Sequence, residues 1–177
     1  MILWFRHLPQ IDKDLSGWTP FIQNNWYRKH YMKFVYLLQI FILLIPFFFD
    51  KQFNHINIFP LIIIGFLVFI IHESIHIIII NKKGDISLTF SGIFFWLHTN
   101  AVLSKARFWL FMSTPFIFLS VVPAILSFYV SDTIKSILLF VCWINALISA
   151  SDIISSYLIA LKPKKTVFFR GYYQSQT

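Results

Sequence analysis

The sequence of 177 residues is 58% hydrophobic and 20% aromatic, and only 12% of its residues are charged. Soluble globular domains carry about twice that charged fraction, so the composition excludes an ordinary soluble domain. The net charge of +8 does not indicate a nucleic-acid partner, because the cations flank apolar runs instead of clustering with aromatic residues on a water-facing surface.

The sequence predicts a single membrane-embedded domain over residues 1–177, since no linker, repeat or low-complexity tract divides it. Residues 1–31 are predicted to be a cytoplasmic or interfacial segment in which tryptophans lie among basic residues. Four apolar runs follow that can cross a bilayer as helices, and a basic tail ends the chain. The predicted spans are 32–49, 58–80, 108–130 and 134–161, and the tail is 162–177.

The distribution of Lys and Arg predicts the orientation of these spans. Of the 15 Lys and Arg residues, only Lys51 and Lys135 lie in the connections after the first and third spans. By the positive-inside rule, both termini and the 82–107 loop then face the cytoplasm. Residue usage rich in Ile, Phe, Lys and Asn is typical of an A/T-rich bacterial genome, so the expected location is the bacterial cytoplasmic membrane.

The loop between the second and third spans contains a predicted strand. Residues 85–91 alternate apolar with small polar side chains and end at Gly92, which is typical of a half-buried strand. Residues 93–97 are too apolar for solvent, so we expect the loop to lie in the membrane interface or to be re-entrant. An ordinary amphipathic connector is the alternative. The predicted fold class is therefore an all-α polytopic membrane protein with about four transmembrane helices and a short strand-bearing loop.

An HExxH pattern, His72-Glu73-Ser74-Ile75-His76, lies within the second span. Imidazoles at i and i+4 project from one helix face, so His72 and His76 are candidate ligands of one Zn²⁺. Glu73, the only Glu in the chain, is placed to take a proton from an attacking water and to pass it to a leaving amine. Chance matches number on the order of 10⁻³ for this composition. A buried hydrogen-bonded cluster and a two-His haem site are the alternatives.

A third zinc ligand is predicted in the fourth span. Asp152 lies nine residues before the cytoplasmic end of its span, as His72 does in the second, so the two side chains are expected at one depth. Asn145, Ser149, Asp152 and Ser156 recur on one helical face, although the serines suit helix packing equally well. Asn145 and His98, the latter in the 82–107 loop, are weaker candidates for contacts with substrate or with a ligand.

The pattern of HExxH in one span and Asp152 in a later one resembles the intramembrane metalloproteases of the site-2 protease type. More closely, the chain resembles small bacterial four-helix membrane proteins described as putative zincin peptidases. The matching stretches are 72–76, the 103–115 entry into the third span, and 145–152. The resemblance implies that His72, His76 and Asp152 bind one zinc ion per chain and that Glu73 is the general base.

These observations predict a zinc-dependent peptidase that cleaves a membrane peptide or transmembrane protein near the cytoplasmic leaflet. A helical substrate must unwind before cleavage, and the strand around residues 86–90 is expected to hold it extended by edge pairing. Two alternatives remain: a non-catalytic zincin-like membrane adaptor or immunity protein, and a divalent-metal transporter that uses the same ligands.

Overall fold

The computed structural model describes residues 2–5, 14–48, 58–80, 86–91 and 94–175, with the backbone alone at 2–5, 88–91 and 94–98. Most of the described chain is helical. The helices are α1 (Asn25–Leu44), α2 (Ile58–Ile80), α3 (Lys105–Phe116), α4 (Val122–Leu126), α5 (Asp132–Ile148) and α6 (Ala150–Ala160). The strands are β1 (Ile2–Phe5), β2 (Thr19–Pro20), β3 (Ile86–Ser91), β4 (Phe94–Thr99), β5 (Leu103–Ser104), β6 (Thr166–Phe169) and β7 (Tyr172–Ser175).

Three helical stretches of the described chain are long and apolar enough to cross a membrane: Asn25–Phe48, Ile58–Ile80 and Lys105–Leu126. Large apolar side chains cover their outer faces, as expected of helices whose solvent is lipid. Examples that are each 61–64% exposed are Phe41, Ile62, Phe66 and Phe118. The first stretch begins earlier than the predicted residue 32, because the side chain of Asn24 accepts a hydrogen bond from the Tyr27 amide and so caps α1.

The third stretch contains a π-helical turn, Ile117–Val121, between α3 and α4. Pro115 lies inside α3 and Pro123 lies in the first turn of α4. Neither proline can donate a backbone hydrogen bond, so the ordinary helical ladder is interrupted on both sides of the turn. The stretch ends at Leu126, four residues before the predicted boundary.

The fourth predicted span, 134–161, is not one helix. It consists of α5 and α6, whose axes meet at 66° across Ser149. The backbone of Ser149 has ψ of 5°, far from the helical value of about −42°, so α6 starts on a new axis. The sequence predicts one continuous helical face with Asn145, Ser149, Asp152 and Ser156. That face is interrupted at Ser149.

A first sheet has the strand order β1-β3-β4. The predicted strand is present as β3, which pairs in parallel with β1 and antiparallel with β4. The apolar segment 93–97, expected to be interfacial or re-entrant, contributes most of β4. Since β3 has a neighbour on each side, the expectation that residues 86–90 offer a free edge to a substrate is wrong.

A second sheet has the order β2-β7-β6-β5 and includes the segment predicted to be a plain tail. β6 and β7 form a hairpin whose two turn residues, Arg170 and Gly171, have positive φ of 41° and 82°, as a tight two-residue hairpin requires. β2 precedes α1, β5 precedes α3, and β6 follows α6. The sheet therefore gathers three helix ends at one end of the bundle. The predicted cytoplasmic orientation of this end stays a prediction.

Packing between this sheet and the helices fixes the position of α2. Buried apolar side chains from the end of α2, from β3, from the β4–β5 connection, from β5 and from α3 form one cluster: Ile80, Ile86, Ala101, Leu103 and Phe111. On the neighbouring side, the Phe168 ring contacts Phe21 and Phe108 at centroid distances of 5.8 and 4.9 Å. Lys105 then ties α3 to the end of α6, since its Nζ donates to the carbonyl oxygens of Ala160 and Lys162.

Candidate metal centre

The two histidines of the HExxH pattern lie side by side in the interior of the helix bundle. His72 and His76 are 2% and 5% exposed. They are one helical turn apart on α2, and their Nε2 atoms are 3.2 Å from one another. α2 is apolar along its whole length apart from this turn, so the bundle encloses a polar site in an otherwise apolar helix.

Asp152 reaches both histidines from α6. Its Oδ2 atom lies 3.2 Å from His72 Nε2 and 3.2 Å from His76 Nε2. The break at Ser149 places Asp152 in the first turn of α6. The structure thus brings together the three residues that the sequence proposed as metal ligands, as a cluster whose donor atoms all lie within 4.8 Å of one another.

The spacing of these three atoms suits a tetrahedral zinc site. Zinc binds His nitrogen and carboxylate oxygen at about 2.0–2.2 Å, so two ligands of a tetrahedral site lie about 3.3–3.5 Å apart. The observed triangle has all three edges at 3.2 Å. Two imidazoles and one carboxylate are also a ligand set used by catalytic zinc, which keeps its fourth position open.

Asn145 determines which nitrogen of His72 faces the triangle. The Asn145 Nδ2 donates to Pro115 O at 3.2 Å and to Ser120 Oγ at 2.8 Å, so Oδ1 is the atom 2.9 Å from His72 Nδ1. An amide oxygen only accepts, and therefore His72 Nδ1 carries the hydrogen. In the neutral ring, Nε2 then presents its lone pair to Asp152.

This arrangement needs a cation. A lone pair of His72 and a carboxylate oxygen of Asp152 repel one another at 3.2 Å unless positive charge lies between them. A second proton on the His72 ring would bridge only His72 Nε2 and the Asp152 carboxylate. A metal ion would bind His72, His76 and Asp152 together. The donor set therefore fits zinc, with His72, His76 and Asp152 as the residues that would hold it.

On the side that faces away from the triangle, His76 is held by packing instead of by hydrogen bonding. Its ring lies 4.5 Å from that of Phe111, centroid to centroid. Among the described residues, His76 Nδ1 is buried and has no hydrogen-bond partner. The two histidines thus differ, because His72 has a polar partner behind it and His76 has an aromatic one.

Glu73 and His98 complete the predicted site residues. Glu73 is only partly buried, and its carboxylate lies within electrostatic range of His72, His76 and Asp152. His98 lies in β4 opposite Ser87, and its side chain is outside the described part of the molecule. The predicted contact of His98 with the site therefore stays a prediction.

Ser120 and the carbonyl of Pro115 are site components that the sequence did not reveal. Pro115 at the end of α3 and Ser120 in the π-helical turn support Asn145 and thereby His72. Ser120 also donates to Cys142 O at 3.0 Å, which ties the turn to α5. The available signal was Ser120 between two prolines in an apolar span, since prolines in a membrane helix release backbone groups that neighbours must satisfy.

Comparison with known proteins identifies the family of the chain. Residues 65–167, more than half of the chain, match the model of a family described as "Putative zincin peptidase" (DUF3267). The match includes all three candidate ligands, Glu73 and Asn145. No curated protein and no solved structure matches the chain.

Proposed function

Because the chain belongs to the putative zincin peptidase family, we propose that it is a zinc-dependent peptidase that hydrolyses a membrane-associated peptide near the cytoplasmic leaflet. The observation that carries the proposal is the triangle of His72, His76 and Asp152, in which Asn145 turns a lone pair of His72 toward the carboxylate. If the cluster were held by hydrogen bonds alone, each acceptor would face a donor, whereas here the His72 lone pair faces the Asp152 carboxylate.

The roles of the residues follow from their chemistry. When bound, zinc lowers the pKa of a coordinated water toward about 7 and polarises a peptide carbonyl. Glu73 follows His72 in the same helical turn and is more exposed than either histidine. It would accept the proton of the attacking water and donate it to the leaving amine.

The location of the site supports a membrane-associated substrate. His72 lies eight residues before the end of α2, and Asp152 lies eight residues before the end of α6. At 1.5 Å per residue, each is about 12 Å from the end of its helix. The end of α6 leads into the second sheet, and Ile80 at the end of α2 packs against Leu103 of β5 in that sheet. The excess of Lys and Arg at these ends supports a cytoplasmic orientation.

Substrate would add to the first sheet at the outer edge of β4, since β3 is enclosed. In the described chain β4 pairs with β3 alone. β4 leads directly into Ala101 and Leu103, which pack against Ile80 at the end of the histidine-bearing helix. A peptide bound there would be extended, with its amides available for cleavage.

The test is cleavage and zinc content of the purified protein with Glu73→Gln beside it. We expect about one zinc per chain in both proteins and cleavage of membrane peptides by the wild type alone. Ser74→Ala is the matched control, because Ser74 neighbours Glu73 and, among the described residues, its hydroxyl bonds the Ile70 carbonyl of its own helix.

The outcomes separate the candidate functions. Full activity of Glu73→Gln would contradict the role of Glu73. Zinc without cleavage of any membrane peptide would favour an adaptor or immunity protein, and zinc flux into proteoliposomes would favour a transporter. Absence of metal from wild-type protein supplied with zinc would overturn the peptidase proposal.

A further inference from the structure

The break between α5 and α6 creates a problem for the backbone. Where a helix ends, its last carbonyl groups lose their partners within the helix. In an apolar bundle each unpaired group costs several kcal/mol, so a neighbour has to supply donors. Ser149 ends α5 in the middle of the predicted fourth span, three residues before Asp152.

α1 supplies a donor to the end of α5 and a second one to the first turn of α6. Gln39 Nε2 donates to the carbonyl of Leu147 at 3.1 Å, two residues before the break. Tyr31 Oη donates to the carbonyl of Ser151 at 3.1 Å, two residues after the break. Tyr31 also lies 3.0 Å from Ser155 Oγ in the next turn of α6. Side chains eight residues apart on α1 thus bracket Ser149.

α1 is itself fixed against α5. Trp143 Nε1 donates to the carbonyl of Ile42 at 2.9 Å, one turn beyond Gln39. This hydrogen bond fixes the position of α1 along α5. Gln39 and Tyr31 therefore lie beside the two sides of the break at Ser149. α1 lies wholly outside residues 65–167, the part of the chain that the family model matches.

We propose that Tyr31 and Gln39 are positioning residues for Asp152. By binding the backbone on both sides of Ser149, they set the angle of α6 and hold the Asp152 carboxylate within 3.2 Å of both histidines. In the described chain, their side chains hydrogen-bond to Leu147, Ser151 and Ser155 and not to the candidate ligands. The inference rests on the proposed function, because it concerns the same metal site, and it makes α1 part of that site.

The test compares Tyr31→Phe and Gln39→Leu with Tyr36→Phe. Tyr36 lies on the same helix but is 42% exposed, so its variant loses a hydroxyl away from α6. Zinc affinity is measured by competition with a chromophoric chelator. Loss of a group that orients a metal ligand typically weakens affinity 10- to 100-fold. We expect about a tenfold loss for Tyr31→Phe and for Gln39→Leu, and none for Tyr36→Phe.

A second readout separates positioning from simple helix packing. The visible absorption of cobalt-substituted protein reports the ligands and their geometry at saturating metal. We expect the spectra of Tyr31→Phe and Gln39→Leu to shift toward that of Asp152→Ala, and the spectrum of Tyr36→Phe to match the wild type. Melting curves of the metal-free proteins show whether each variant is folded.

The result can overturn the inference alone or together with the proposed function. Wild-type affinity and spectra in both variants, with or without a lower melting temperature, would reduce Tyr31 and Gln39 to packing residues. A wild-type protein that binds neither zinc nor cobalt would overturn this inference and the proposed function together.

Discussion

At the scale of single residues, Asn145 organises the site. Its side chain bonds groups from three other segments: His72 on α2, Pro115 at the end of α3, and Ser120 in the π-helical turn. Both amide hydrogens are used by Pro115 and Ser120. The geometry therefore favours Asn145 as the group that orients His72 over the alternative of a direct substrate contact.

Replacement of Asn145 tests this role. Asn145→Ala removes the acceptor of the His72 Nδ1 hydrogen, so the ring is free to rotate and to change tautomer. We expect zinc affinity to fall about 10- to 100-fold, as is usual when the partner of a ligating histidine is lost. Chelator competition measures the change.

Ser120→Ala is the control for Asn145→Ala. Asn145 keeps Pro115 O as an acceptor in this variant, so the loss of affinity should be smaller. Zinc affinity of Asn145→Ala equal to that of the wild type, in a protein with a normal melting curve, would contradict the orienting role.

At the scale of elements, a helix or strand can be predicted when the residues that determine it are local in the sequence, and it is missed when they are distant. α2 occupies the predicted 58–80, because a continuous apolar run in the chain is a local signal. The break at Ser149 was not predicted, since no Gly or Pro marks it. Next to the break, the Leu147 carbonyl accepts a hydrogen bond from Gln39, which is 108 residues away in sequence. The hairpin β6–β7 was likewise missed because its partner strands β2 and β5 are distant along the chain.

Two glycines offer a prediction at this scale. Gly171 in the β6–β7 turn has φ of +82°, and nothing would lie within 4 Å of an added Cβ. Alanine there is strained by the backbone alone, so we expect Gly171→Ala to destabilise the protein by about 1 kcal/mol. Thermal melting in detergent measures the loss.

Gly65→Ala is the matched change in a helix. A Cβ at Gly65 would lie 3.8 Å from the side chain of Ile144, an ordinary contact. Since alanine favours α-helix over glycine by up to about 1 kcal/mol, Gly65→Ala in α2 should leave the melting temperature unchanged or raise it. A larger loss for Gly65→Ala than for Gly171→Ala would contradict the assigned backbone conformations.

At the scale of the whole molecule, the orientation in the membrane can be tested with single cysteines. Cys142 is the only natural cysteine, so Cys142→Ser provides a background for Lys164→Cys and Lys51→Cys. An impermeant maleimide added to intact cells should label Lys51→Cys, and the same reagent added to inverted vesicles should label Lys164→Cys. Labelling of Lys164→Cys from outside intact cells would reverse the proposed orientation.

The second sheet also bears on how the protein is made. β2 pairs with β7, and β5 pairs with β6. Strands β2 and β5 are therefore synthesised well before their partners and cannot form the sheet until β6 and β7 have been made. Pairings so distant in sequence form late in folding. α6, which carries Asp152, is translated just before β6, and its end is tied to the start of α3 through Lys105. A nascent chain would therefore hold the two histidines before their carboxylate, and the candidate metal centre would become complete only after the β6–β7 hairpin has been synthesised.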